Sequence, residues 1–267
     1  MDFLKRSVAP ITDEAWEEID EQAKTILKGN LSGRKMVDVK GPHGIETAAV
    51  NLGHVRVEKE QGSGGVSWGV REVQPLVELR VPFSLNIWEL DDVNRGSKTP
   101  NLDPVEEAAC KAAQFEEEAI YKGLSKACIR GIAEMAEAES VPLPKAAEDF
   151  TDVVEDAVVR IQQAGVGGPY SLVLGTEPYQ MLMAGDQRGY PLRRRVEDLL
   201  GGDVNWSPVL EGGLLLSTRG GDYELTLGQD MAIGYKCHDT RSVELYLTES
   251  MTFRVLEPRA AVSLDPS

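Results

Sequence analysis

Apolar positions along this chain change their period several times, and each change marks an element. Trp16, Ile19, Ala23 and Ile26 recur at three and four, with Glu17, Glu18, Asp20 and Glu21 on the other side, which predicts an amphipathic helix. Thr12 stands where an N-cap is needed, Ile11 and Trp16 have the spacing of a hydrophobic staple, and Gly29 ends the run. Between residues 44 and 90 the pattern becomes strand, glycine-rich tip, strand. Residues 54–58 and 66–73 flank the turn 61–65, predicting a long hairpin that cannot bury two faces against its own domain and therefore suits a neighbouring subunit. Leu79, Val81, Phe83, Leu85 and Ile87 then alternate with Arg80, Ser84, Asn86 and Trp88, which puts Trp88 on the polar face of a strand.

Asp103 as N-cap and Pro104 at the first helical position open the longest helix, whose Val105, Ala108, Ala112, Phe115 and Ala119 keep the three-four spacing of a central spine. Over residues 141–219 the signals alternate: helix at 149–164, apolar strand at 170–174, helix at 191–200, apolar strand at 213–217. That alternation predicts an α/β lobe, with residues 184–190, containing Gly185 and Gly189, as a connecting loop. Tyr223, Leu225 and Leu227 form a strand between two turns, and the runs Val243/Leu245/Leu247 and Met251/Phe253/Val255 add two more. Together they predict a small antiparallel sheet near the carboxy end.

Composition narrows the function classes. A chain of 267 residues that is 42% hydrophobic can bury a sizeable core. Its formal charge of -16 argues against binding nucleic acid, which rests on Lys and Arg neutralising phosphates. Cys110, Cys128 and Cys237 are odd in number and scattered, so neither a disulfide framework nor a zinc site is expected, and a reducing cytosol is. Residues 1–10 carry no apolar run of signal-peptide length, and no run approaches the roughly 18 apolar residues of a membrane span.

Candidate chemistry is sparse. Glu116-Glu117-Glu118 invites comparison with an iron site, but a ferritin-like site also needs Glu-x-x-His, and none of His43, His54 and His238 has a Glu three residues before it. A solvated acidic face is the expectation, with no metal bound by this chain. Gly65-Val66-Ser67-Trp68-Gly69 matches the GxSxG nucleophile elbow. That motif requires a helix directly after the serine turn, but residues 70–80 are β-like and contain Pro75. No enzyme activity is expected. Trp88 on a polar face is expected at an interface; alternatively it forms, with Arg80, a stacking platform for a flavin.

A set of short motifs, in order along the chain, resembles the encapsulin shell proteins, also called the linocin-like family. They are Phe3-Leu4-Lys5-Arg6, Ala9-Pro10, Gly33-Arg34-Lys35, Val37-Asp38-Val39 and Gly41-Pro42 near the start, Gly167-Gly168-Pro169-Tyr170 and Gly189-Tyr190-Pro191-Leu192 in the middle, and Gly220-Gly221-Asp222-Tyr223, Leu227-Gly228-Gln229-Asp230, Ile233-Gly234-Tyr235 and Thr248-Glu249-Ser250-Met251-Thr252-Phe253 near the end. The resemblance implies an α+β, tailed-phage major capsid fold of the Hong Kong 97 type. Residues 1–43 would be an interior helix and arm, 44–90 the extended loop, 91–140 with 220–267 the peripheral domain, and 141–219 the axial domain. It implies a cytoplasmic, self-assembling icosahedral cage around cargo, such as a ferritin-like protein or a peroxidase, docked by a carboxy-terminal targeting peptide. The positions that match the docking site are Leu27, Leu31, Arg34 and Asp38 on one side, and Asp230, Ile233 and Tyr235 on the other. Asp38 and Asp230 would pair with basic flanks of the peptide. Gly185, Asp186, Gln187, Arg188, Gly189 and Tyr190 would rim the fivefold pore. The alternatives are a DNA-holding phage capsid, which the acidic balance disfavours, and a serine hydrolase resting on the GxSxG match alone.

Overall fold

The computed structural model describes residues 3–57, 66–187 and 190–266. The first helix, α1, is Asp13–Asn30, and Thr12 caps it by accepting a hydrogen bond from the Ala15 amide. Its buried face is Ala15, Trp16, Ile19 and Ala23, and Ile11 packs against the same cluster, as the staple spacing predicts. After β1 (Asp38–Lys40) come β2 (Ala49–Val57) and β3 (Gly69–Pro75), paired antiparallel as an arm. The expected turn at 61–65 lies outside the described residues. Val55, Val57, Val70 and Val73 are exposed on this arm, so it has little core of its own.

Strand β4 (Val77–Asn86) stops earlier than the alternation predicts. Asn86 caps α2 (Ile87–Asn94) by accepting from the Trp88 amide, so Trp88 stands in the first turn of a helix and is 70% exposed. The spine α3 is Asp103–Tyr121; Leu102, not Asp103, is the residue before it, and Pro104 lies in the first turn. Beyond it come α4 (Phe150–Gln163), β5 (Tyr170–Leu174), α5 (Thr176–Ala184), α6 (Leu192–Leu200), β6 (Val204–Trp206), β7 (Gly213–Ser217), β8 (Tyr223–Leu227), β9 (Ala232–His238), β10 (Ser242–Val255) and β11 (Ala261–Asp265). Helix α5 carries no clear apolar stripe, and periodicity does not predict it.

Two sheets organise the molecule. In the first, the two runs expected as separate strands are one 14-residue strand, β10. No Gly, Pro or Asn lies between Leu247 and Met251, so nothing turns the chain, and Val243 through Val255 keep a single odd-numbered face. Met251 pairs with Leu227 on one side and Val77 on the other. Strands β8 and β9 therefore lie end to end along one edge of β10, with β4 along the other. Strand β1 runs parallel to β8.

The second sheet has the order β6, β5, β7, β11, then the short Val141–Pro142. The expected boundary at residue 220 thus fails for Ala261–Asp265, which leaves the first sheet and pairs with β7. All five residues of β7 are buried. A strand so placed needs backbone partners on both edges, and β5 supplies only one. Helix α3 joins the two cores: Val105, Ala109 and Ala112 belong to the cluster with α1, β4 and part of β10, while Ala119, Ile120 and Tyr121 belong to the cluster that holds the second sheet together with β8 and the far end of β10.

Candidate functional site

Between α1 and β9 runs a groove of about 610 Å³. Helical spacing of four puts Ala23, Leu27 and Leu31 along one wall, and Ile233 and Leu247 supply the apolar part of the other. Leu31 is 8% exposed and Ile233 3%, so these two form the floor, while Leu27 stands further out. The end of the groove is closed by the turn after α1, where Arg34 and Lys35 line it together with Asp230.

Under that turn lies a buried charge cluster. The Arg34 Nε and Nη2 donate to Glu116 at 2.9 and 2.7 Å, Nη2 also donates to Glu249 at 2.7 Å, and Nη1 donates to Asp230 at 2.9 Å. Glu116 and Glu249 have no exposed surface. Burial favours loss of the Arg34 proton, but its bonds to Glu116 and the charges of Glu116, Glu249 and Asp230 outweigh this and hold it firmly protonated. One guanidinium cannot neutralise three carboxylates. Burial first, and the Glu116 charge second, push the Glu249 carboxyl well above its usual range.

Glu117, next on the same helix turn, serves a separate purpose. It accepts from the Gly33 amide at 2.6 Å and the Ser207 hydroxyl at 2.7 Å, and also from Ser32, whose hydroxyl lies 2.8 Å from Tyr121 Oη. Ser207 directly succeeds β6, so this carboxylate ties the turn after α1 to the second lobe. A Cβ on Gly33 would come within 2.7 Å of Ile120, which explains a glycine at this junction. The expectation of a solvated acidic face is therefore corrected: of Glu116, Glu117 and Glu118, the first two are fully buried. The sequence carried a signal, because Glu116 falls four residues after Ala112 and four before Ile120, on the apolar stripe.

Five of the seven expected docking residues, Leu27, Leu31, Arg34, Asp230 and Ile233, converge on the groove. Asp38 does not. It sits on β1, accepts from the Gly221 amide at 2.7 Å, and lines a separate crevice with Thr218 and Gly220. Tyr235 is two residues beyond Ile233 on the same strand; its hydroxyl meets His238 Nδ1 at 2.6 Å and its amide donates to the Leu4 carbonyl. Asp230 is already engaged by Arg34, so the expected pairing of Asp38 and Asp230 with basic peptide flanks is not what this geometry offers. Periodicity and motif matching passed over Lys24, Lys28 and Lys35, which rim the groove.

Of the expected pore residues, Asp186 and Gln187 pair antiparallel with Pro191 and Tyr190. Gly185 precedes them, where a Cβ would come within 2.6 Å of Leu192. Tyr190 is exposed and its hydroxyl donates to Asp198 at 3.1 Å; Arg188 and Gly189 lie outside the described residues. Arg80 and Trp88 are not brought together. Arg80 stands over Phe3 and Tyr246, and Trp88 has Arg95 as its cation neighbour. Asn86 is six steps along the strand from Arg80, roughly 20 Å at the strand rise, so one chain does not build the flavin platform. The residues after Ser67 and Trp68 form β3, not the helix a nucleophile elbow needs.

The family model described as "Encapsulating protein for peroxidase", Linocin_M18, matches residues 1–252. The chain belongs to the encapsulin family. Among similar proteins, a type 1 encapsulin shell protein of Rhodococcus erythropolis is 43% identical over 264 residues, covering 99% of this chain and 100% of its own length. One of Brevibacterium linens is 44% identical over 265 residues, covering 99% of both. The expected capsid-type fold of an encapsulin is borne out by solved structures. A virus-like particle from Pyrococcus furiosus aligns with a TM-score of 0.68 at 18% identity, over 94% of this chain and 99% of that one. The capsid of Myoviridae phage XM1 aligns with a TM-score of 0.57 at 10% identity, over 89% and 92%. The relatives bear the names of shell proteins rather than of enzymes.

Proposed function

We propose that this shell protein closes with copies of itself into a hollow cage and takes in cargo through the groove between α1 and β9. The observation that carries the docking step is the groove itself: an apolar floor of Leu31 and Ile233 beside the more open Leu27, on a wall braced from beneath by the Arg34 cluster. An extended peptide with two or three aliphatic anchors fits such a floor. Each anchor gains roughly 1.5 to 3 kcal/mol before ordering costs, so single sites bind modestly and an oligomeric cargo binds by avidity. A peroxidase, named in the family description, is the first cargo to test.

Leu27→Asp is the informative variant. Leu27 is only partly buried, whereas an acid at Leu31 or Ile233 would strike the fold itself. Co-expression with a tagged cargo should yield closed shells with little inside, and normal loading of Leu27→Asp would move the site elsewhere.

Assembly rests on the exposed arm, where Val57→Asp should leave the subunit folded and lower the yield of particles in size-exclusion chromatography. In this reading the segment 185–190 rims an opening, where Asp186 and Arg188 offer both signs of charge and favour neither sign of ion. Unchanged iron entry into loaded shells after Asp186→Ala with Arg188→Ala would remove that role. The net charge of -16 supports a protein-filled particle in the cytosol over a DNA-filled one, which the absorbance ratio of purified particles reads directly.

A further inference from the structure

We infer that the turn after α1 is a latch held by a proton: the buried cluster keeps that turn closed over the end of the groove while Glu249 stays neutral, and lets it open as Glu249 ionises. The latch belongs to the empty groove and does not depend on what docks there. Glu116 and Glu249 have no exposed surface, and one oxygen of each lies 2.7 Å from the same nitrogen, Arg34 Nη2. The two carboxyl groups therefore sit side by side on one guanidinium, whose Nη1 is given to Asp230 at 2.9 Å. Neighbouring buried carboxylates that share a single cation do not both ionise readily, because neither has water into which to spread its charge. Glu116 accepts from both Nε and Nη2, whereas Glu249 accepts from Nη2 alone, and its Oε2 is buried with no hydrogen-bond partner among the described residues. The proton therefore belongs on Glu249.

The charged groups that face Glu249 are Arg34 from the turn, Glu116 from α3 and Asp230 from the connection before β9. Glu117 and Tyr121, further along α3, are turned to Ser32. Strand β4 sets Leu79 opposite Glu249, and its Glu78 and Arg80 are paired with each other at 2.8 Å. Burial, and after it the Glu116 charge, raise the Glu249 carboxyl well above its usual range, so the closed form lies below that folded value and the latch loosens as pH rises through it. What yields is the turn. Helix α3 has 19 residues and β10 is a 14-residue strand paired on both edges, whereas Gly33–Lys35 is a single 3-10 turn. That turn is closed by the Lys35 amide on the Ser32 carbonyl at 3.0 Å and by the Met36 and Val37 amides on the Gly33 carbonyl at 2.8 and 3.1 Å. Local opening runs through the segment with the fewest bonds to break, and here it lets water reach both carboxylates. Because Arg34 and Lys35 line the end of the groove, opening the turn widens that end.

The test follows hydrogen exchange of the Lys35, Met36 and Val37 amides in the assembled protein between about pH 5 and pH 10. Exchange is expressed as protection relative to an unstructured chain at each pH, which cancels the intrinsic base dependence of the reaction. Protection should fall several-fold toward high pH while the amides of β7 keep theirs. Glu249→Gln preserves the shape but cannot ionise, so protection should stay level in it; Asp230→Asn removes only the outer acid and should keep the fall. Level protection in the unaltered protein, or the same fall in Glu249→Gln, overturns the inference. Should Glu249→Gln fail to assemble, infrared spectra of the unaltered protein decide. At neutral pH, where solvated carboxyls are ionised, a band from a buried neutral carboxyl is expected, fading in step with the protection as pH rises. Absence of that band, or a band that persists after protection is lost, overturns the latch.

Discussion

The charges beneath the groove and those around it are a few residues apart in sequence and opposite in behaviour. Arg34 is enclosed by Glu116, Glu249 and Asp230, and its donors are spent on them. Lys35, the next residue, is exposed and lines three hollows at once. A buried charge must find its counter-ion inside the chain because desolvation leaves no other source, whereas an exposed one keeps its water and can exchange it for a partner. The two sets therefore differ in what they can do: the inner set holds the wall in place and the outer set stays open to solvent.

The sharpest way to break this comparison is Arg34→Ala. It strands two fully buried carboxylates, and the expected loss is about 3 to 5 kcal/mol of stability, measured by urea denaturation of the subunit. A loss below about 1 kcal/mol would show that the cluster is not what braces the wall. Glu117→Gln comes next. One amide oxygen cannot serve Ser32, Gly33 and Ser207 together, and its NH2 faces donors, so about 1 to 3 kcal/mol should be lost. The loss should appear as weaker coupling between the lobes, seen as faster hydrogen exchange around β6 than in the unaltered protein.

The pH dependence sharpens the comparison further. Burial, with the Glu116 charge added, raises the folded-state value of Glu249, and burial likewise raises that of Glu117. The folded state then holds protons that the unfolded chain releases above its ordinary value of 4.5. Stability from these groups is complete below that value and declines as pH rises through the raised folded value, by at most about 1.4 kcal/mol per pH unit for each proton. Glu249→Gln should flatten that decline, and a denaturation series with the same slope in both proteins would assign it elsewhere. The smallest effect is expected at the rim: Lys28→Ser should change stability by no more than about 0.5 kcal/mol in the same urea series.

Much of this was legible beforehand. Strands β5 and β7 fall where their apolar runs place them, Thr12 caps α1 as its chemistry requires, and five of the seven residues expected at a docking site line one groove. Trp88 was misplaced because alternation continues through Asn86, and the cap that ends the strand is a local hydrogen bond the pattern does not register. Asp38 was misplaced for a different reason. Its neighbour in the chain is Arg34's turn, but its partner is the Gly221 amide, brought there by the parallel pairing of β1 with β8.

The sequence by itself determined the family, the periods of most helices and strands, and even the positions at which two glutamates face inward. Glu116 sits on the apolar stripe of α3, and Glu249 takes its turn in the odd-numbered face that runs from Val243 to Val255. Only the tertiary structure decided that those positions tolerate charge. Arg34 is 82 residues from Glu116 and 215 from Glu249 in the chain, and periodicity reports which way a side chain faces, not what waits for it there. The same folding step that brings one arginine to the buried acids leaves the next lysine in water, and that difference separates the wall of the groove from its rim.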